Sequence, residues 1–183
     1  NFMILSDSEL VEMLREPRTR REGFAVLVKQ YSDKLYWKVR RIVLSHEDAN
    51  DVLQNVFIKV WSNLQNFQGK SSLSTWLYRI AINESLDFLR KQKLADNVSA
   101  DEDVSVASRL MSDEYFDGDE VQARLQEAVA RLPEVQRTVF NLKYFEEMKY
   151  SEMSQILNTS EGALKASYHL AVKKITEYLH LFD

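Results

Sequence analysis

The chain has 183 residues, 45% of them hydrophobic and 28% charged, enough apolar mass for one globular domain or two small ones. It has no cysteine, four glycines and two prolines, which excludes disulfides and thiolate metal sites and disfavours a turn-rich all-β fold. No run of about 18 apolar residues occurs and no secretory leader pattern is visible, so no membrane span is expected and a reducing, cytoplasmic setting fits.

The net charge of −4 is spread unevenly. Residues 1–93 hold 15 Lys and Arg against 11 Asp and Glu, a net of +4. Residues 94–120 hold 1 against 9, a net of −8, while residues 121–183 balance at 8 against 8. Three parts follow: an N-terminal domain over 1–93, an acidic flexible linker over 94–118, and a C-terminal domain over 119–183. The linker segment is Asp/Ser-rich without clear helical periodicity. It reads either as a solvated spacer or as a DNA-mimicking cover for a basic surface.

In chain order, Ser6 and Glu9 form a capping box before LVEML. Phe24, Leu27, Val28 and Tyr31 recur at helical spacing, and Leu35, Val39, Ile42 and Val43 continue that pattern in a next helix. A helix over 48–66 follows. At 100° per residue Val52, Leu53, Val56, Val60 and Leu64 share a buried side, while Asp51, Gln54, Asn55, Ile58 and Ser62 share the opposite one. Ile58 is then an aliphatic ringed by polar groups, with Trp61 on the boundary. Such a residue is either an ordinary exposed apolar side chain or the centre of an interface with a polar rim.

Gln65–Ser74 reads as a polar loop containing Gly69 and Lys70, and Ser71, Ser72 or Ser74 is placed to cap the helix after it. That helix offers Trp76, Tyr78, Arg79, Asn83, Asp87, Arg90 and Lys91. Aromatic and basic residues interleaved in this way suit single-stranded nucleic acid, since rings stack on bases while cations meet phosphates. A polar loop beside such a helix can also form a pocket for an extruded base. Trp76 equally suits core packing, and the two roles are compatible.

The segment YSEMSQILNTSEGALKASYHLAVKKI has the form of a helix-turn-helix. Ile156 and Leu157 end its first helix, Asn158 takes the left-handed turn position, Ser160 caps the second, and Ser154 is small where the helices cross. Leu164, Tyr168, Ala171, Ile175 and Phe182 are expected inward, His169 and Lys173 outward, with Lys165 on the flank. The start of the second helix is the part that enters a major groove. A plain helical hairpin shares this pattern. No period-2 stretch competes anywhere, so the expected fold is all-α, two helical domains joined by the acidic linker.

HEDANDVLQNVFIKVWSNLQNF followed by STWLYRIAINESLDFLRK resembles region 2 of the extracytoplasmic-function (ECF) RNA polymerase sigma factors of the sigma-70 family. The shared elements are the acidic-Gln helix ending in Trp61, the Thr75–Arg79 run, Asn83, Asp87 and Arg90. RLPEVQRTVFNLKYFEEMKYSEMSQILNTSEGALKA is similar to their region 4 through Leu132-Pro133, Arg137, Val139-Phe140, Leu142, Tyr150-Ser151-Glu152, Ser160, Gly162, Leu164 and Lys165. The match spans most of 22–93 and 121–180, with no room for a region 3 between.

The resemblance implies a promoter-specificity subunit of bacterial RNA polymerase. Asp51, Gln54, Asn55 and Ile58 would dock on the clamp coiled coil. Lys70, Ser71, Ser72, Trp76, Arg79, Asn83 and Arg90 would melt and read the −10 promoter element. Ser160, Glu161, Ala163, Lys165, Ala166, His169 and Lys173 would meet the −35 element, while apolar residues of the same domain contact the flap tip. It further implies control by an anti-sigma factor, often membrane-anchored in this family.

Two departures stand out: Ser167 where family members often carry a basic residue, and Ala163 where they often carry Thr. With Glu161 opposing Lys165, His169 and Lys173, the phosphate term of isolated DNA binding is expected to be small. Two other classes fit less well. A stand-alone helix-turn-helix regulator would need a dimerisation or effector domain that residues 22–93 do not suggest. An enzyme is disfavoured because His46, His169 and His180 form no metal-spaced set and no phosphate loop or activated nucleophile appears. No catalytic residue, metal, cofactor or small-molecule substrate is expected.

Overall fold

A computed structural model describes residues 4–67, 69, 71–95 and 118–182, with side chains omitted at 93–95. The expected acidic linker lies almost wholly outside the described residues, as does Lys70. The described residues fall into two compact units, divided between Ala95 and Asp96. Every regular element among them is helical.

The first unit holds four helices: α1 (Asp7–Arg15), α2 (Arg20–Val43), α3 (His46–Ser62) and α4 (Leu73–Ala95). Ser6 starts α1 by accepting from the Glu9 amide at 3.2 Å and donating its hydroxyl to the Glu9 carboxylate at 3.1 Å; the expected pair meets, but Glu9 returns to the serine hydroxyl rather than to its amide as a full capping box would. The end of α1 is closed by α2's own entry. Thr19 Oγ1 donates to the Met13 carbonyl at 2.8 Å, and Arg20 Nε to that of Leu14 at 2.9 Å. These bonds satisfy terminal carbonyls that a short helix leaves orphaned. Gly23 is required at the crossing, because a Cβ there would stand 2.9 Å from Met13 Cβ.

Two expectations need correction. Residues 24–43 lie in one 24-residue helix rather than two, since no Gly or Pro falls between Phe24 and Val43 and Leu27, Leu35, Val39 and Ile42 form one buried stripe. The helix expected over 48–66 starts at His46, where Ser45 Oγ accepts from the Asp48 amide. It ends at Ser62, and a 3-10 turn covers Leu64–Asn66. Here α2 packs on all three other helices, and α3 packs on α4. Val52, Val56 and Val60 of α3 and Leu77, Ala81 and Ile82 of α4 are buried in the core. Each fully buried aliphatic side chain contributes about 1.5–3 kcal/mol.

The second unit holds α5 (Glu120–Ala130), α6 (Glu134–Phe140), a π turn (Asn141–Phe145), α7 (Tyr150–Leu157) and α8 (Glu161–His180). Pro133 precedes α6 and ends the α5–α6 connection with no side-chain cap. α8 is the central element, against which α5, α6 and α7 all pack. Leu164, Ala171 and Ile175 point inward as expected, with Tyr168 half-buried. Phe182 does not join them: α8 ends at His180, and the ring is 48% exposed. It lies instead under the Arg124 guanidinium at 3.8 Å and edge-on to Tyr178.

Candidate functional site

The outer face of α3 carries Asp51, Gln54, Asn55, Ile58 and Ser62, all exposed, opposite the buried valines. Ile58 is 63% exposed and Trp61 43%. The apolar area is larger than α3 alone suggests. Phe24 of α2 stands edge-on to Trp61 at 5.1 Å and to Phe57 at 6.4 Å. A hydrophobic centre with a polar rim is the composition of a protein interface. Helical spacing puts Phe24 on one side of α2 with Leu27, Val28 and Tyr31; only the packing of α2 on α3 brings its ring to this edge.

Ser72 resolves the open question of which serine caps α4, accepting from the Thr75 amide at 3.1 Å. Trp76 is half-buried with its ring 5.0 Å from Phe67, so it belongs to the packing at the helix start while keeping an accessible edge. Arg79, Asn83 and Arg90 are exposed, and at 100° per residue they fall within about 40° of one another. The stripe from Arg79 to Arg90 runs about 16 Å along the helix. Tyr78 turns away from it, lying under the Lys38 ammonium of α2 at 4.2 Å.

The charges on this helix are arranged in sequence. Lys59 of α3 makes an ion pair with Glu84, and the carboxylates of Glu84 and then Asp87 hold the Lys59 ammonium above its ordinary pKa, the Glu84 hydrogen bond being the largest cause. Asp87 in turn pairs with Arg90 at 2.8 Å. Arg90, a candidate for phosphate contact, is therefore neutralised by a neighbour one turn away.

Beside the start of α4 lies a cleft of about 500 Å³. Asp7, Glu12 and Arg15 of α1 form one wall; Phe67, Gly69 and Ser71 form the other. Gly69 holds φ +72°, the left-handed region that favours glycine, with Arg15 Nη2 3.2 Å from where a Cβ would be. The sequence reading placed the serines here but no residue of α1. The α1 wall comes from the docking of a helix some sixty residues upstream in sequence, anchored by Tyr31 Oη donating to Asp7 Oδ1 at 2.6 Å.

In the second unit the helix-turn-helix forms as its local signals require. Asn158 adopts φ 52°, ψ 45°, and Ser160 Oγ accepts from the Ala163 amide at 3.2 Å. Ser154 Oγ donates to the Thr159 carbonyl at 2.6 Å and ties the turn to α7. Glu161, Lys165, His169 and Lys173 follow one i, i+4 row on α8, and all are exposed, as are Ala163 and Ala166. Lys165 stands 5.6 Å from the centre of the Tyr150 ring, and Lys143 of the π turn stands 4.6 Å from it. Lys143 was not singled out by sequence, because nothing local relates a residue of the π turn to the recognition helix. Phe140 stacks between Tyr144 and Tyr168, at interplanar angles of 13° and 17°.

A helix-turn-helix on one unit, and on the other an apolar interface patch beside a basic, aromatic-flanked helix, define a DNA-directed transcription protein of helical architecture. Residues 27–95 match the family described as Sigma-70 region 2, and residues 122–175 that described as Sigma-70, region 4. The chain is 33% identical to the ECF RNA polymerase sigma factor SigW of Bacillus subtilis, covering 81% of this chain and 84% of that protein. It is 30% identical to the RNA polymerase sigma-H factor of Pseudomonas aeruginosa, over 94% of this chain and 93% of the relative. The chain belongs to the ECF RNA polymerase sigma factors, the promoter-specificity subunits of bacterial transcription initiation.

Among solved structures, the fold is similar to that of the Bartonella quintana sigma factor RpoE in complex with the anti-sigma factor NepR. The TM-score there is 0.68 at 20% identity, over 87% of this chain and 98% of that one. CnrH in complex with the cytosolic domain of CnrY gives 0.62 at 20% identity, over 97% and 96%. Among the described residues no helix is long and apolar enough to cross a membrane.

Proposed function

We propose that the chain divides the work of initiation by surface. The α3 face, Asp51, Gln54, Asn55 and Ile58, docks on the clamp coiled coil of RNA polymerase, with Trp61 and Phe24 widening its apolar centre. The α4 stripe, Arg79, Asn83 and Arg90, tracks the −10 strand together with Trp76 and Lys70, while Ser71 and Ser72 line the cleft that receives an extruded base. In the second unit Ser160, Glu161, Ala163, Lys165, Ala166, His169 and Lys173 meet the −35 duplex, and apolar residues contact the flap tip. The roles assigned to residues 1–93 and 119–183 follow from this division.

The observation that carries this reading is the pairing of two faces on adjacent helices. The Ile58 patch lies on α3, and the basic stripe lies on α4, to which α3 is joined by packing and by the Lys59–Glu84 pair. A strand captured on α4 is thereby held next to the polymerase surface that α3 grips. No step in this scheme requires covalent chemistry, so the protein acts as a specificity subunit in the cytoplasm rather than as an enzyme. Anti-sigma control follows from the same surfaces. The α3 patch is exposed in the free chain, so a regulator that covered it would block polymerase; the sigma factor RpoE, similar in fold, is itself solved in complex with the anti-sigma factor NepR.

The test is run-off transcription with purified bacterial core polymerase, this protein and a genomic fragment library. Discrete starts that share upstream −10 and −35 sequences are expected. Failure to bind the core of the same bacterium would remove the polymerase reading and leave a stand-alone DNA-binding regulator.

A further inference from the structure

One flank of α8 carries apolar side chains that its own unit does not cover. Leu170 is 46% exposed, and Leu181, which continues the helical backbone just past His180, is 75% exposed. At 100° per residue Leu170, Lys174, Glu177 and Leu181 fall within about 60° of one another, a stripe about 17 Å long. It adjoins the buried side held by Leu164, Ala171 and Ile175 and lies on a different side from Lys165 and His169. Beside its C-terminal end, α5 and α8 leave a cleft of about 350 Å³, with buried Ala128 and Leu132 on one wall and Tyr178 and Leu181 on the other.

Lys174 and Glu177 stand one turn apart at the middle of the stripe, yet among the described residues neither makes an ion pair. The order of the four residues makes the stripe its own complement. A two-fold axis crossing α8 between Ile175 and Thr176 has Leu170 and Leu181 equally far on either side, and Lys174 and Glu177 likewise. A second α8 laid antiparallel about that axis therefore meets the first in register. Leu170 stands opposite Leu181 of the second copy, at the mouth of its cleft, and Lys174 stands opposite Glu177 of the second copy. Each contact occurs twice. A parallel alignment would set Lys174 against Lys174 and Glu177 against Glu177, so charge selects the antiparallel arrangement.

We propose that the free protein pairs with a second copy of itself through this stripe, in an antiparallel, two-fold contact of α8 on α8. A single helix-on-helix contact falls below the roughly 1,200–2,000 Å² of a stable interface, so the pair forms reversibly and at high protein concentration. The capped start of α8 extends beyond the contact, which leaves Glu161 and Lys165 accessible in a paired chain.

The test is sedimentation equilibrium of the full chain over a range of concentrations, for wild type, Lys174→Glu, Glu177→Lys and the double charge swap. Circular dichroism checks that each variant folds. The wild-type mass is expected to rise with concentration from the 21.4 kDa of one chain towards twice that value. Each single variant meets like charges at both central contacts and is expected to associate about tenfold more weakly. The double swap restores opposite charges and is expected to recover wild-type association. A single-chain mass at every concentration overturns the pairing and leaves the stripe to a partner of another kind, such as polymerase or a regulator. Association that the single variants do not weaken, or that the swap does not recover, puts the contact elsewhere on the chain and overturns it as well.

Discussion

Replacing Ile58 by Asp should separate polymerase binding from folding. Ile58 is 63% exposed in the free chain. Complete burial of an isoleucine is worth about 1.5–3 kcal/mol, so covering the remaining two-thirds contributes about 1–2 kcal/mol to docking. An aspartate in its place forfeits that and brings an unpaired carboxylate into the dry centre of the patch, where desolvation costs several kcal/mol. Counting only about 2 kcal/mol for the charge, because the rim admits some water, the total is about 3–4 kcal/mol, or roughly 100–1,000-fold in Kd. The cost to the fold is smaller. The third of the side chain already covered accounts for about 0.5–1 kcal/mol, and Asp and Ile differ by only a few tenths of a kcal/mol in helix propensity. Titration of labelled protein against core polymerase measures the first quantity, and thermal unfolding followed by circular dichroism measures the second. Wild-type affinity in a folded Ile58→Asp variant would show that the docking surface lies elsewhere.

Three further perturbations probe the first unit. Asp87→Asn releases Arg90 from its 2.8 Å pair, which is exposed and so worth about 0.2–1 kcal/mol; affinity for a single-stranded −10 oligonucleotide should rise less than about fivefold, and an unchanged affinity would take Arg90 off the strand path. Gly23→Ala sets helix propensity, a gain of about 0.5–1 kcal/mol, against a Cβ 2.9 Å from Met13 Cβ, an overpacking cost of about 1–3 kcal/mol. The clash should win and lower Tm, so a raised Tm would mean that α1 shifts freely on α2. Tyr31→Phe removes the bond to Asp7, at a cost of about 1 kcal/mol near neutral pH. Burial first, and then Asp7, raise the Tyr31 phenol above the ordinary value of about 10. Its stabilisation is therefore complete below pH ~10 and is lost as pH rises towards the folded value. Urea midpoints should fall less steeply above pH ~10 in Tyr31→Phe than in wild type; parallel profiles would assign the alkaline loss to other groups, such as Tyr150 and Tyr178.

Features whose causes lie within one or two helical turns were legible in the chain. Ser6 with Glu9, the buried and exposed sides of α3, the left-handed Asn158 and the Ser160 cap each depend on neighbours three or four residues away. The all-helical fold follows from the same local periodicities. Element ends were less legible. Residues 31–35 carry no breaker, yet the stripe was divided there, and α8 stops before Phe182 although the apolar spacing continues. A spacing pattern states which residues share a side, but not where packing ceases to hold the backbone.

What the sequence determined by itself is the helical class, the Ser6 and Ser160 caps and the sides that α3 and α8 present, because steric and hydrogen-bonding constraints along a helix act over about four residues. What only the tertiary structure decided is which faces meet: Phe24 with Trp61, α1 opposite the Gly69 loop, Tyr78 beneath Lys38, and Lys143 with Lys165 around Tyr150. Those pairings depend on how helices far apart in the chain fill one another's grooves, and that is set by the shape of the whole core rather than by any one segment.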